Sequence, residues 1–170
     1  MVDPSGASRA PQRASFGLAW AVKESFVAYI RNSRDGQVTV EDGAGVTPDG
    51  RFLFPLEGIG QNATEHQLAF RGKVRFRAHF GLLSVTLETP RLLLRPDAAE
   101  LAVTDHEGGW RHLAHLDLPV PTDDGPACLW ADAPAGLAEA GVELFGDTYH
   151  TGEQLAPVTL RLPASSLASA

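Results

Sequence analysis

Cysteine is nearly absent from this chain. Cys128 is the only one, so an intramolecular disulfide is impossible and a zinc centre built on cysteines is excluded. Between Ala127 and Leu129 it reads as a small buried hydrophobe. Basic charge is also scarce: 14 Lys and Arg against 21 Asp and Glu leave a formal net charge of −7. An acidic chain repels phosphate backbones, which argues against nucleic acid as a partner. No apolar run reaches the length of a membrane span. The segment from Met1 to Ala10 lacks the apolar stretch of a signal peptide. The expectation is a soluble chain, cytoplasmic as it stands. Catalytic patterns are missing as well, with no Gly-x-Ser-x-Gly elbow, phosphate loop or His-Glu-x-x-His pair. The chain therefore reads as non-enzymatic.

Punctuation, by contrast, is plentiful. The 170 residues include 17 Gly and 12 Pro, which favours many short strands and turns over long helices. Such a length fits one domain with a real core. Residues 1–14, rich in Ser, Ala, Pro and Arg, and residues 164–170 are expected as flexible tails flanking a single domain at 15–163. The expected fold class is mainly β (α+β): twisted antiparallel β-sheets, an N-terminal helix packed on them, and one short additional helix.

That helix is predicted from Phe16 to about Asn32, with Ser15 as its N-cap and no internal proline. At about 100° per residue, Leu18, Val22, Ser25 and Tyr29 share one stripe. Phe16, Trp20 and Val27 fall on the opposite side. Ser25 and Tyr29 are then neighbours, two hydroxyls on an apolar face.

Asp35-Gly36, Asp42-Gly43 and Asp49-Gly50 are two-residue turn signals framing short strands near 37–41 and 51–55. From Leu68 to Ala78 the even positions are apolar or small, while Arg71, Lys73, Arg75 and Arg77 are charged. This alternation predicts one strand with one buried face. The apolar set then moves to Leu83, Val85 and Leu87. A phase flip near His79-Phe80-Gly81 requires a bulge, a bend or a change of sheet, and such irregularities re-aim side chains toward sites. Further strands are expected at 92–94, 101–104, 110–118, 142–145 and 157–162, a loop at 119–126, and a short helix or loop at 134–140.

Most polar clusters have ordinary readings. His106, His112 and His115 are of metal-binding type, but on a strand positions 112 and 115 point to opposite faces, which favours surface roles. The basic stripe at 71–77 reads as a solvated sheet face, and Asp123-Asp124 as a solvated turn. By spacing alone, Tyr29 is a core tyrosine with a satisfied hydroxyl and His79 a structural histidine.

Three segments add a further reading. Leu18-Ala19-Trp20-Ala21-Val22-Lys23-Glu24-Ser25-Phe26-Val27-Ala28-Tyr29-Ile30 resembles the opening helix of the HtaA family, haem-transport domains of actinobacteria. Phe70 to Leu83 resembles its Gly-x-Val-x-Phe-x-x-His-x-Gly segment, and Thr89-Pro90-Arg91-Leu92 the stretch that follows, with Thr89 replacing an acid. Phe145 to Val158 resembles its closing Tyr-x-x-Gly-x-x-x-x-Pro segment.

The resemblance implies a β-rich domain that takes up, stores or relays ferric haem b. It implies Tyr29 as the iron ligand, His79 as hydrogen-bond partner of that tyrosine, Ser25 on a haem propionate, and Phe80, Phe145 and Tyr149 lining the pocket. Haem donor or acceptor proteins would be its partners, as a monomer or homodimer, and family members are usually exported or at the cell surface. The chemistry agrees: phenolate is a hard oxygen donor suited to ferric iron, and a hydrogen bond from a neighbouring imidazole orients it. The alternative is a structural or protein-interaction domain that keeps the fold without haem. A cavity at the Leu18/Val22/Ser25/Tyr29 stripe separates the two.

Overall fold

The computed structural model describes residues 16–104, 107–146 and 148–166. The Ser15 cap, His106, the first tail and residues 167–170 of the second lie outside them. Ala164–Ser166 form a single 3₁₀ turn.

The chain runs β1 (Gly17–Trp20), α1 (Glu24–Asn32), β2 (Gln37–Glu41), β3 (Gly45–Val46), β4 (Phe52–Gln61), β5 (His66–Phe70), β6 (Lys73–Ala78), β7 (Leu83–Glu88) and β8 (Arg91–Arg95). It continues β9 (Ala98–Thr104), β10 (Trp110–Leu116), β11 (Thr122–Asp124), β12 (Ala127–Leu137), α2 (Glu139–Leu144) and β13 (Gln154–Pro163). No helix among the described residues is long and apolar enough to cross a membrane.

The expected β-rich class holds, but the larger sheet is a barrel rather than an open twisted sheet. β1 pairs with β13 on one side and β4 on the other, closing an eight-stranded antiparallel ring in the order β1-β13-β12-β10-β9-β8-β5-β4. Closure removes the unpaired edges that an open sheet leaves to solvent. A separate three-stranded sheet, β2-β6-β7, stands beside it.

β1 corrects the first expectation. Residues 17–20 are a strand, and the helix begins only at Glu24, with Lys23 in the cap position. The run Gly-Leu-Ala-Trp alternates small and large. Leu18 and Trp20 go into the core, and the Trp20 indole N–H donates to the Ala156 carbonyl at 2.7 Å. A Cβ on Gly17 would stand 2.5 Å from the Phe54 carbonyl oxygen, so only glycine lets β1 lie this close to β4. Leu18 and Val22 are therefore off the helix stripe and fully buried.

The single strand expected over 68–78 is two strands in different sheets: β5 in the barrel, β6 in the small sheet. Gly72, at φ +119, makes the switch, and a Cβ there would lie 2.6 Å from that of Ala44. The phase flip at 79–81 is the turn of the β6–β7 hairpin. Near the C-terminus the expectation fails again. Residues 142–145 end α2 rather than forming a strand, and the region expected as helix or loop carries the end of β12. Pro134 lies in that strand where the register shifts, the setting in which a strand tolerates proline.

The helix α1 buries Phe26, Val27 and Ile30. Phe26 links the layers by edge-to-face contacts, 5.3 Å from Phe76 and 5.2 Å from Phe145 between ring centroids. Phe76 in turn meets Phe52 of β4 at 5.5 Å. Each pair of this geometry contributes about 0.5–1.5 kcal/mol beyond simple burial.

Candidate functional site

Helix α1, the β6–β7 turn and the segment after α2 converge on a cavity of about 640 Å³. Its walls are Ser25, Phe26, Tyr29, His79, Leu82, Leu83, Phe145, Thr148 and Tyr149. The volume lies within the range of small-molecule and cofactor pockets. A cleft of about 650 Å³ on another side of α1 has ionic walls, including Glu24, Arg31, Asp49, Arg51 and Asp132. Of these two, only the first combines apolar walls with phenols and an imidazole.

Tyr29 is half exposed at 50%. Its hydroxyl lies 2.5 Å from His79 Nε2, with ring centroids 5.7 Å apart. The two come from different layers: Tyr29 from α1, His79 from the turn after β6. That turn is left-handed through three residues, with φ of 53 at His79, 56 at Phe80 and 86 at Gly81. Left-handed backbone is uncommon for residues other than glycine, though histidine is among those enriched there. Asp35 holds the turn: its Oδ1 accepts the His79 N–H at 3.1 Å, and its Oδ2 accepts the Phe80 N–H. These bonds, that from Phe80 foremost, lower the Asp35 pKa below the usual carboxylate value.

The second phenol has a different environment. Tyr149 is hydrogen-bonded with Ser25, packs 5.9 Å from the Phe145 ring, and carries the Lys23 ammonium 5.1 Å from its own ring centre. Burial, and then the Glu153 carboxylate, raise its pKa above 10 while Ser25 opposes them. Tyr149 thus stays protonated near neutral pH and acts as a hydroxyl rather than an anion.

Five of the six sequence candidates line this cavity: Ser25, Tyr29, His79, Phe145 and Tyr149. Phe80 stands outside the lining, 93% exposed on the His79 turn. Leu18 and Val22, expected as apolar walls, are core residues; Phe26, Leu82 and Leu83 take that place. Phe26 was readable in principle, three residues before Tyr29 on the same helix. Asp35 had no such signal, since its partners lie 44 and 45 positions away.

His112 and His115 lie at the surface as expected, but not on opposite faces. A register shift between His112 and Ala114 puts both imidazoles on one carboxylate, His112 Nδ1 at 3.0 Å and His115 Nδ1 at 3.8 Å from Glu100. Among the described residues, no cluster of three His, Cys, Asp or Glu side chains is arranged to hold a metal ion. Lys73 of the basic stripe is paired with Asp42 at 3.7 Å and Glu88 at 3.4 Å.

The fold is a closed β-barrel with a small second sheet and an apolar, phenol-bearing pocket beside it. The HtaA family model (Htaa) matches residues 15–161, and the chain belongs to that family. Its fold is similar to the C-terminal domain of HtaA from Corynebacterium glutamicum, with a TM-score of 0.69 at 24% identity, covering 86% of this chain and 98% of that one. The N-terminal domain of HtaA from the same organism gives 0.69 at 24% identity, covering 87% and 97%. The haem-binding protein HtaB of that organism gives 0.63 at 20% identity, covering 87% and 92%. Among curated proteins, none matches.

Proposed function

We propose that this protein binds ferric haem as cargo, with Tyr29 as the iron ligand and His79 as the group that receives and returns the phenol proton. The observation that carries this reading is the Tyr29 hydroxyl 2.5 Å from His79 Nε2 at an apolar cavity. The description of HtaB as a haem-binding protein supports it.

The Tyr29 hydroxyl and His79 Nε2 form one hydrogen-bonding pair, in which the phenol O–H donates when Nε2 carries no proton. To bind ferric iron the phenol must lose its proton, and Nε2 is in place to take it. Nε2–H would then donate to the phenolate oxygen, fixing its orientation and tempering its basicity, and unloading would return the proton to Tyr29. Leu82, Leu83, Phe26 and Phe145 supply apolar surface for the porphyrin. Ser25, one helical turn before Tyr29, would reach a propionate by exchanging its bond with Tyr149. Tyr149, whose anionic form is disfavoured by burial and by the Glu153 carboxylate, is the poorer phenolate donor of the two.

This arrangement suits uptake, storage or relay rather than turnover, with haem donor or acceptor proteins as partners. Hemin should therefore bind in a stoichiometric complex with a high-spin, tyrosinate-type visible spectrum and negligible peroxidase activity. If Tyr29→Phe bound hemin with unchanged spectrum and affinity, the assignment would be wrong.

A further inference from the structure

We propose that Asp35 is a positioning residue of this site: it holds the left-handed turn that aims His79 at Tyr29. The inference rests on the haem reading above for its consequence, but on geometry for its substance. The β6 ladder ends at Ala78, paired with Leu83. The N–H groups of His79 and Phe80 therefore emerge in a turn with φ above zero at both residues, a backbone that side chains other than glycine adopt reluctantly. Their two donors go to the two oxygens of one carboxylate. The partly buried Asp35 side chain thus fixes the direction of the residue that meets the ligand tyrosine.

Asp35 also belongs to the segment that terminates α1, and this closes a circuit. The Ser33 hydroxyl donates to the Tyr29 carbonyl at 2.8 Å, and the Ser33 N–H donates to the same oxygen at 3.1 Å. The Gly36 N–H donates to the Ser33 carbonyl at 3.0 Å. A Cβ on Gly36 would lie 1.6 Å from the Ile30 carbonyl oxygen, so the chain is pressed against the end of the helix. From Tyr29 the circuit runs through Ser33 to the Asp35-Gly36 turn, across the Asp35 carboxylate to the His79 and Phe80 amides, and back through the imidazole to the Tyr29 hydroxyl. Phenol and imidazole thus stand at opposite ends of one short, hydrogen-bonded path. Asp35 is the only member of it whose side chain spans the gap between α1 and the small sheet besides the reacting pair itself. Asp35 touches neither phenol nor pocket; it acts through His79.

The test uses the full chain and the isosteric Asp35→Asn variant beside Asp35→Ala, each also in the His79→Ala background. In the ligand-free protein, the ¹H–¹⁵N resonances of the His79 and Phe80 amides should move upfield and exchange faster in both single variants. Hemin affinity should fall at least about tenfold in Asp35→Ala, with the tyrosinate band displaced as in His79→Ala. Asp35→Asn keeps one oxygen acceptor and should fall between. In the His79→Ala background, loss of Asp35 should change affinity less than about twofold, because residues acting through one another are not additive. Equal losses in both backgrounds would mean a merely structural role and overturn the proposal, as would amide resonances untouched by Asp35→Asn. If wild type fails to bind hemin, the haem reading falls, and the amide resonances still decide whether Asp35 holds the turn.

Discussion

Both tyrosines of the chain stand at one cavity, so exchanging each for phenylalanine tests the proposal that Tyr29, and not Tyr149, is the iron ligand. Tyr29→Phe removes a hydroxyl from a half-exposed side chain. A hydrogen bond contributes about 0.5–1.5 kcal/mol net, and competition from water puts this one at the low end. For a chain of this length, about 1 kcal/mol shifts the melting temperature by roughly 2–4 °C. Tyr149→Phe loses the bond with Ser25 and keeps the ring against Phe145 and Lys23, so a similar small shift follows. Ligand-free stability therefore does not distinguish the variants. Hemin should. Tyr29→Phe leaves only apolar contact, and its loss should exceed the roughly 10–100-fold typical of removing a partner of a ligand, the range expected for His79→Ala. Tyr149→Phe should keep the tyrosinate spectrum and lose less than about tenfold, consistent with about 1 kcal/mol from one neutral hydrogen bond. Absorbance titration with hemin, beside thermal melts of the ligand-free proteins, measures both quantities. The reverse pattern, in which Tyr149→Phe loses the spectrum and Tyr29→Phe retains it, would refute the reasoning.

Other consequences can be checked separately. Asp35 has a lowered pKa, so its contribution is present above the ordinary carboxylate value near about 4 and is lost as pH falls through the lowered one. The gap in melting temperature between wild type and Asp35→Asn should accordingly close in acid; a gap constant down to about pH 2 would contradict this. Gly72→Ala combines φ +119 with overlap on Ala44. It should cost about 2–4 kcal/mol in a denaturant titration, and a change within about 0.5 kcal/mol would show that the turn relaxes freely. Phe145→Ala removes a ring that is 1% exposed and joins Phe26 to Tyr149. A loss of about 3–5 kcal/mol is expected, seen as a fall of roughly 6–20 °C in the melting temperature.

Local signals carried much of the site. Ser25 and Tyr29 share a face of α1 wherever that helix starts, and the parity change after Ala78 marked the His79 turn. The strand break at Gly72 was hidden because Arg71 and Gly72 restore the parity they interrupt: Leu68 and Phe70 are buried before the switch, Val74 and Phe76 after it. Helix-forming residues concealed β1, whose strand pairing is decided by β4 and β13 rather than by neighbours in sequence. Pro134 concealed the end of β12. The bulge at Leu113 turned two histidines onto one face against simple alternation. The HtaA family follows from the match over residues 15–161, whereas Asp35 is visible only in three dimensions.

Barrel closure by β1 also governs how the chain can be made. The Trp20 indole waits for the carbonyl of a residue 136 positions later. On a ribosome, β1 can meet β4 early but has no β13 to pair with until the 136 positions between Trp20 and Ala156 have emerged. Pairings of such sequence separation form slowly and leave apolar strands unprotected in the meantime. The β6–β7 hairpin, built from adjacent residues, has no such delay. The turn bearing His79 can therefore be shaped early, while Phe145 and Tyr149 complete the cavity only after β8 to β12 have been made.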